Sequence, residues 1–193
     1  MRASHLNKAL GRKVKMDRIV KLIRQDPVRV RALACVSTLN LPQCYIAAGF
    51  VRNLVWDALH NFEVSTPLND ADVIYFSPEE NDPNAYLSYE SQLKQLMPEI
   101  NWQVRNQANM HTRNGDSPYT SSLDAMSFYP EKETAIAIRQ IAPNKYECIA
   151  AFGYESLFSC HVTHNSKRSR EIFESRVNSK GWLAQWSSLR IAP

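Results

Sequence analysis

No stretch of the chain approaches the roughly 20 consecutive apolar residues that a membrane-spanning helix needs. The basic N-terminus has no apolar run behind it, so the pattern of a secretory signal is missing as well and the expected compartment is the cytoplasm. Cysteine is sparse and scattered: Cys35, Cys44, Cys148 and Cys160 include no C-x-x-C pair. They read as reduced, mostly buried thiols rather than as a disulfide framework. Cys160 stands near His161 and His164, but no fourth residue lies at a spacing that would close a zinc site. There is no internal repeat and no low-complexity linker. No Ser-His-Asp or Cys-His arrangement points to nucleophilic hydrolysis.

What is present suits a folded domain. Hydrophobic residues make up 44% of the 193 and charged residues 22%, enough to bury a core. The net charge is +4 and unevenly placed. Ten lysines and arginines fall between Met1 and Arg31, against Asp17 and Asp26. That excess suits a nucleic acid or another polyanion. It equally suits a solvated helix face whose long stems lie over apolar surface.

The first dozen residues read as mobile. Met16, Ile19, Val20, Leu22 and Ile23 recur at helical spacing. Asp26-Pro27 then marks a cap and a restart, leading into a helix through Val28, Leu33, Val36 and Leu39. After Gly49, residues Val51, Leu54, Val55, Ala58 and Leu59 form another apolar stripe. Ala71 to Phe76 alternates like a strand, a helix follows Asp82-Pro83, and Ile100 to Val104 reads as a second strand. Asn106 to Ser122 is a long polar loop, with a short helix over Leu123 to Tyr129. Thr134–Arg139 and Lys145–Ala150 form two strands about a turn at Pro143-Asn144. A short helix at Gly153–Phe158, an irregular stretch Ser159–Ser169 and a last helix from Ile172 follow, with Trp182 and Trp186 pinning the end of the chain. This order predicts an α+β domain with a mixed sheet, an N-terminal helical cap over residues 1–42 and a main domain over residues 43–193 that ends in a C-terminal helix.

Two segments carry chemistry. In Ala47 to Asn53, AAGFVRN, small residues precede a helix. Ala48 and Gly49 let a phosphate approach the backbone, the helix N-terminus offers N–H groups, and Arg52 and Asn53 stand in the first turn. In Asn69 to Phe76, NDADVIYF, residues two apart share a strand face. Asp70 and Asp72 therefore point the same way, about 7 Å apart at Cα from two strand rises. Such a pair suits Mg²⁺ or Mn²⁺, which takes a few carboxylates together with substrate phosphates. Either segment alone also fits an ordinary turn or strand end.

Together they resemble the head of the template-independent nucleotidyltransferases, the CCA-adding enzymes and bacterial poly(A) polymerases, in which V-G-G-x-V-R-D enters a helix and D-x-D follows on a strand. Here Gly49 and Arg52 match, while Ala48 replaces the first glycine and Asn53 the aspartate. The stretches AGFVRNLVWD, LNDADVIYF, NWQVRNQANMH, PYTSSLDAM and TAIAIR also resemble a family of small bacterial nucleotidyltransferase-like proteins, over roughly three-quarters of the chain.

The resemblance implies a polymerase-beta-like fold. It also implies metal-dependent transfer of a nucleoside monophosphate from an NTP to an acceptor, whether RNA, protein or small molecule. Asp70 and Asp72 would be both catalytic residues and metal ligands. Ala48, Gly49, Arg52, Asn53 and Arg139 would bind the nucleotide. A third carboxylate is not evident after Val104, and Glu147 on a later strand is the stand-in. Asn106 and His111 are further candidates from the polar loop, where Asp124 either caps a helix or faces the site. Two other readings remain open: a catalytically inactive nucleotide- or RNA-binding module, and one component of a toxin or interaction pair.

Overall fold

A computed structural model describes residues 2–192 of the chain. Helix α1 (Arg2–Gln25) runs back to Arg2 instead of starting near Met16. It buries Ile19 and Ile23, while Arg12, Lys15, Arg18 and Arg24 lie against the body of the protein. Arg12 bonds the Ala150 carbonyl and Arg24 the Asn144 carbonyl. Arg18 covers the Phe158 ring and Lys15 pairs with Glu155. The basic excess of the N-terminal segment is thus partly a packing device, since arginine stems cover apolar surface.

Asp26 breaks the chain as the Asp-Pro step predicts. Its carboxylate accepts the Arg29 N–H at 3.0 Å, capping α2 (Pro27–Ser37). Arg29 itself is buried, bonded to Asp26 and donating from Nε to the Phe50 carbonyl at 2.9 Å.

Next come β1 (Tyr45–Ala47), α3 (Gly49–Leu59), β2 (Asp70–Tyr75), α4 (Ala85–Leu96) and β3 (Asn101–Asn106). They are followed by α5 (Gln107–Asn114), α6 (Ser122–Met126), β4 (Ile136–Ala142) and β5 (Lys145–Ala150). The five strands form one mixed sheet in the order β3-β2-β1-β4-β5. Only β2 and β3 are parallel, joined by the α4 crossover; the other pairings are antiparallel.

One face of the sheet carries the main core. Ala71, Val73 and Tyr75 from β2 and Trp102 and Val104 from β3 pack there with the apolar sides of α1 to α4. The opposite face holds a smaller cluster of Tyr45, Ala47, Ala48, Ile74, Met126, Ala135 and Ala137. This division follows from strand alternation and leaves Asp70 and Asp72 on the thinly covered side.

The structure departs from the expected polar loop at Asn106–Ser122, where α5 occupies the first half. Asn106 accepts the Ala108 N–H as an N-cap, and Gly115, at φ +71°, ends the helix in the left-handed conformation. Both signals are in the sequence, but α5 has almost no apolar stripe to announce it.

The chain ends with α7 (Glu155–Phe158), β6 (His161–Val162), α8 (Arg170–Lys180), α9 (Trp182–Gln185) and β7 (Arg190–Ile191). The stretch expected to be irregular therefore contains β6, which pairs in parallel with β7. Two-residue strands leave no periodic signal. Trp182 and Trp186 do pin this segment: both meet Trp56 of α3 edge-on, with ring centroids 5.9 and 5.1 Å away. The Trp186 indole N–H also donates to Asp57 at 2.9 Å.

Replacing Trp186 with alanine removes a buried ring and leaves Asp57 short of a donor. The expected loss is about 3–5 kcal/mol of unfolding free energy, read from urea denaturation. A loss below about 1 kcal/mol would mean that the C-terminal segment is not anchored through this residue.

Candidate functional site

A cavity of about 810 Å³ opens on the thinly covered face of the sheet. Its floor is the pair Asp70 and Asp72 on β2, with Gln103 and Arg105 of β3 beside them. Asp72 stands opposite Gln103 on one side and Ala47 of β1 on the other. Residues 48 and 49 therefore follow directly beyond the strand position that faces Asp72. The strand-to-helix turn and the acid pair, separated by about twenty residues in sequence, meet in one cavity.

The turn has an unusual backbone. Ala48 adopts φ +58° and ψ −120°, a conformation that favours glycine. It is held by its N–H to the Ile136 carbonyl at 2.8 Å, while its own carbonyl accepts from Arg52 at 3.0 Å. Gly49 differs. Its φ is not positive, and an added Cβ would meet only the Asn53 and Arg52 side chains, at 3.5 Å or more. Neither strain nor packing requires glycine at 49; its missing side chain leaves open the space before Arg52 and Asn53.

Arg52 is buried, with its guanidinium 4.3 Å from the Trp182 ring centroid and 5.0 Å from that of Trp56. It donates to Thr134 Oγ1 at 2.8 Å and to Asn53 Oδ1 at 2.9 Å. Burial lowers its pKa to about 10, against the opposing pull of Glu131, so it stays charged at neutral pH. Asp72 is open to water through the cavity yet walled by protein on its other sides. That confinement raises its pKa, and the neighbouring Asp70 charge raises it further, while Arg52, Lys180 and Arg176 pull it down.

Most of the cavity's cations were not anticipated. Arg176 and Lys180 reach it from α8, and Arg168 from the segment before α8. Arg105 arrives from β3 and Arg113 from α5. One signal was available: Ile172, Arg176 and Lys180 are spaced by four, so one face of α8 meets the cavity. Arg168 is tied to Asp116 at 2.7 Å and Arg105 to Glu90 at 2.6 Å.

Five residues considered for the site lie elsewhere. Arg139 and Glu147 are cross-strand partners on β4 and β5. They form an ion pair at 2.6 Å, and the Tyr45 hydroxyl donates to Glu147 at 3.0 Å. The direct pairing satisfies both charges away from the cavity wall, so Glu147 is no third acid there. Asn106, the last residue of β3, is buried, capping α5 and bonded to Ser77 and Glu80. The His111 ring donates from Nδ1 to the Ala108 carbonyl at 2.8 Å. Asp124 accepts the Thr120 N–H at 2.9 Å, a local turn contact. Among the described residues, no group of three or more His, Cys, Asp or Glu is placed to share a metal ion. No described helix is long and apolar enough to cross a membrane.

The raised pKa of Asp72 has a consequence for stability. Its folded carboxyl titrates above its unfolded counterpart, so the folded state holds the extra proton between the two values and loses stability as pH rises through that window. Asp72→Asn removes the ionisable group and relieves that loss. In thermal melts without divalent cation, the variant is expected to melt higher than wild type at neutral pH. The gap should close as pH falls towards the unfolded value near about 4. A variant that melts lower at neutral pH would mark Asp72 as a structural aspartate.

The fold has known counterparts. A solution NMR structure described as a CCA-adding enzyme head domain superposes with a TM-score of 0.78 at 29% identity, covering 90% of this chain and 94% of its own. A CCA-adding enzyme in complex with CTP gives a TM-score of 0.59 at 16% identity over 91% of this chain. One in complex with ATP gives 0.55 at 17% over 90%. The chain spans only 43% and 42% of those two enzymes, and at such identity they show the fold alone. A comparison with curated protein sequences gave no match. A sequence profile described as nucleotidyltransferase matches residues 34–191, which include the turn at Gly49, both aspartates and the α8 cations. The chain belongs to that nucleotidyltransferase family.

Proposed function

We propose that this cavity moves a nucleoside monophosphate from a metal-bound NTP to an acceptor hydroxyl, with Asp70 and Asp72 as the metal ligands. The observation that carries this reading is the meeting of the two aspartates, from one face of β2, with the turn at Ala48-Gly49 and a cationic wall. The donor set fits Mg²⁺ or Mn²⁺. Burial and the Asp70 charge raise the proton affinity of Asp72, a cost that a cation between the two carboxylates offsets, and such ions complete their shell with water and phosphate oxygens. When bound, the ion would neutralise phosphate charge and favour ionisation of the acceptor hydroxyl.

The chain's own residues do the rest. The acceptor hydroxyl gives up its proton to solvent as its oxygen attacks the α-phosphorus, the bond to the bridging oxygen breaks, and pyrophosphate leaves with the electron pair. Arg176 and Lys180 offset the leaving charge. Arg52 commits three N–H groups to Thr134 and Asn53, so it offers the phosphates its charge and its remaining N–H groups from a fixed position. The open space at Gly49 admits the β- and γ-phosphates close to the start of α3. Arg139 has no part in this, being paired with Glu147. Relatives of the same fold in complex with CTP and ATP support an NTP as donor. The acceptor, be it RNA, protein or small molecule, is open. The cytoplasm remains the expected compartment.

A second reading has one specific observation behind it. The β3 position opposite Asp72 holds Gln103, with no acid to complete a three-carboxylate set, and this suits a module that binds nucleotide without turning it over. Pyrophosphate release separates the two. Wild-type protein with each NTP, Mg²⁺ or Mn²⁺ and total cell extract is expected to release pyrophosphate and label one acceptor fraction. Asp70→Asn and Asp72→Asn should each lower that rate by about 100-fold or more, since a metal's charge stabilisation is worth several kcal/mol, with circular dichroism unchanged. Saturable NTP binding without pyrophosphate release under any metal would favour the binding module.

A further inference from the structure

Glu131 is a fully buried carboxylate outside the cavity wall, in the segment leading into β4. It touches the ends of two side chains that do reach the cavity. Its Oε1 accepts from Arg176 Nε at 2.6 Å, and its Oε2 accepts from Arg176 Nη2 at 3.3 Å. The same Oε2 accepts from the Thr134 hydroxyl at 3.0 Å. That hydroxyl in turn accepts from Arg52 Nη1 at 2.8 Å. One buried acid therefore holds Arg176 directly and Arg52 through a single hydroxyl. The two guanidinia come from helices more than a hundred residues apart in sequence.

We infer that Glu131, with Thr134 as its link, is a positioning residue that fixes Arg52 and Arg176 toward a bound polyphosphate. The inference rests on the phosphate-binding reading of the cavity and adds to it a group that never contacts substrate. A free arginine samples many rotamers and loses that freedom when it grips a ligand; one already held by a buried carboxylate binds with less to lose. The acid also offsets the repulsion between two guanidinia on one wall. The Thr134 hydroxyl has a definite polarity in this chain, donating to the carboxylate and accepting from the guanidinium. A residue without a hydroxyl at 134 breaks the link at both ends.

The test uses the whole chain and magnesium tripolyphosphate, a probe that carries the phosphates without base or sugar. Binding is measured by calorimetry beside a thermal melt for wild type, Glu131→Gln, Thr134→Val and Thr134→Ser. Thr134→Val is expected to weaken binding roughly tenfold, the scale of losing a hydrogen bond to a charged group. Thr134→Ser, which keeps the hydroxyl, should stay within about twofold of wild type. Glu131→Gln should weaken binding at least as much as Thr134→Val, and should raise KM for the NTP more than it lowers kcat. If Glu131→Gln does not fold, the Val and Ser variants at 134 decide alone. Valine and glutamine variants that melt lower yet bind the probe as wild type would overturn the inference and leave Glu131 as a structural ion pair. Wild-type protein that fails to bind the probe would overturn the phosphate-site reading itself, and the inference with it.

Discussion

Strand β2 must satisfy two incompatible surroundings along a single backbone, and the period of two lets it do so. Ala71, Val73 and Tyr75 enter the main core, while Asp70 and Asp72 face the other way with Ile74. A shift of one residue in register would put two carboxylates into the core and three apolar side chains into the cavity, so the register is specified twice over. Both neighbours of β2 obey the same division. β3 sends Trp102 and Val104 inward and presents Gln103 and Arg105 to the cavity. β1 stops after three residues, so that Ala48 can turn the chain into α3 beside Asp72.

Burial, and then the like charge of Asp70 beside it, raise the proton affinity of Asp72, and the fold answers with cations from distant parts of the chain. Arg52 comes from α3, Arg176 and Lys180 from α8. The aromatic contacts of Trp56 with Trp182 and Trp186 tie α3 to the α9 segment that directly follows α8. Trp182 does both jobs, packing on Trp56 and covering the Arg52 guanidinium. A buried guanidinium between indole rings keeps its charge because its N–H groups still find Thr134 and Asn53. Packing of the C-terminal segment and the electrostatics of the cavity therefore rest on the same few side chains.

How much of this was legible in the sequence follows from how local each signal is. Asp70, Asp72 and the turn at Ala48-Gly49 were readable because strand alternation and a small residue before a helix are properties of consecutive residues. The helix starts at Pro27 and Gly49 and the strands β2 to β5 were readable for the same reason. Arg139 and Glu147 misled because residue type says nothing about a partner; their cross-strand register neutralises both. The cations at Arg176 and Lys180 had a spacing of four on α8, but nothing local says which face of an amphipathic helix meets a cavity. Glu131 was invisible. Its meaning depends on Thr134, Arg52 and Arg176 converging, which is tertiary information. The short strands β6 and β7, two residues each, lie below the length at which a period can be detected.

The charge arrangement also bears on how two ligands would share the cavity in the proposed reaction. Without ligand, Arg52, Lys180 and Arg176 partly neutralise Asp72. A triphosphate occupying the same cavity competes for those cations, and Asp70 and Asp72 then face each other with less screening. Their demand for a divalent cation rises, and the cation in turn gives the phosphates a second positive partner. By linkage the dependence runs both ways, each ligand tightening the other by the same factor. In the proposed reaction, a cavity with its acids on the strand and these cations on the surrounding helices would favour the metal-nucleotide pair over either component alone. That preference arises from opposing charges held at fixed positions, without any requirement for a third carboxylate opposite Asp72.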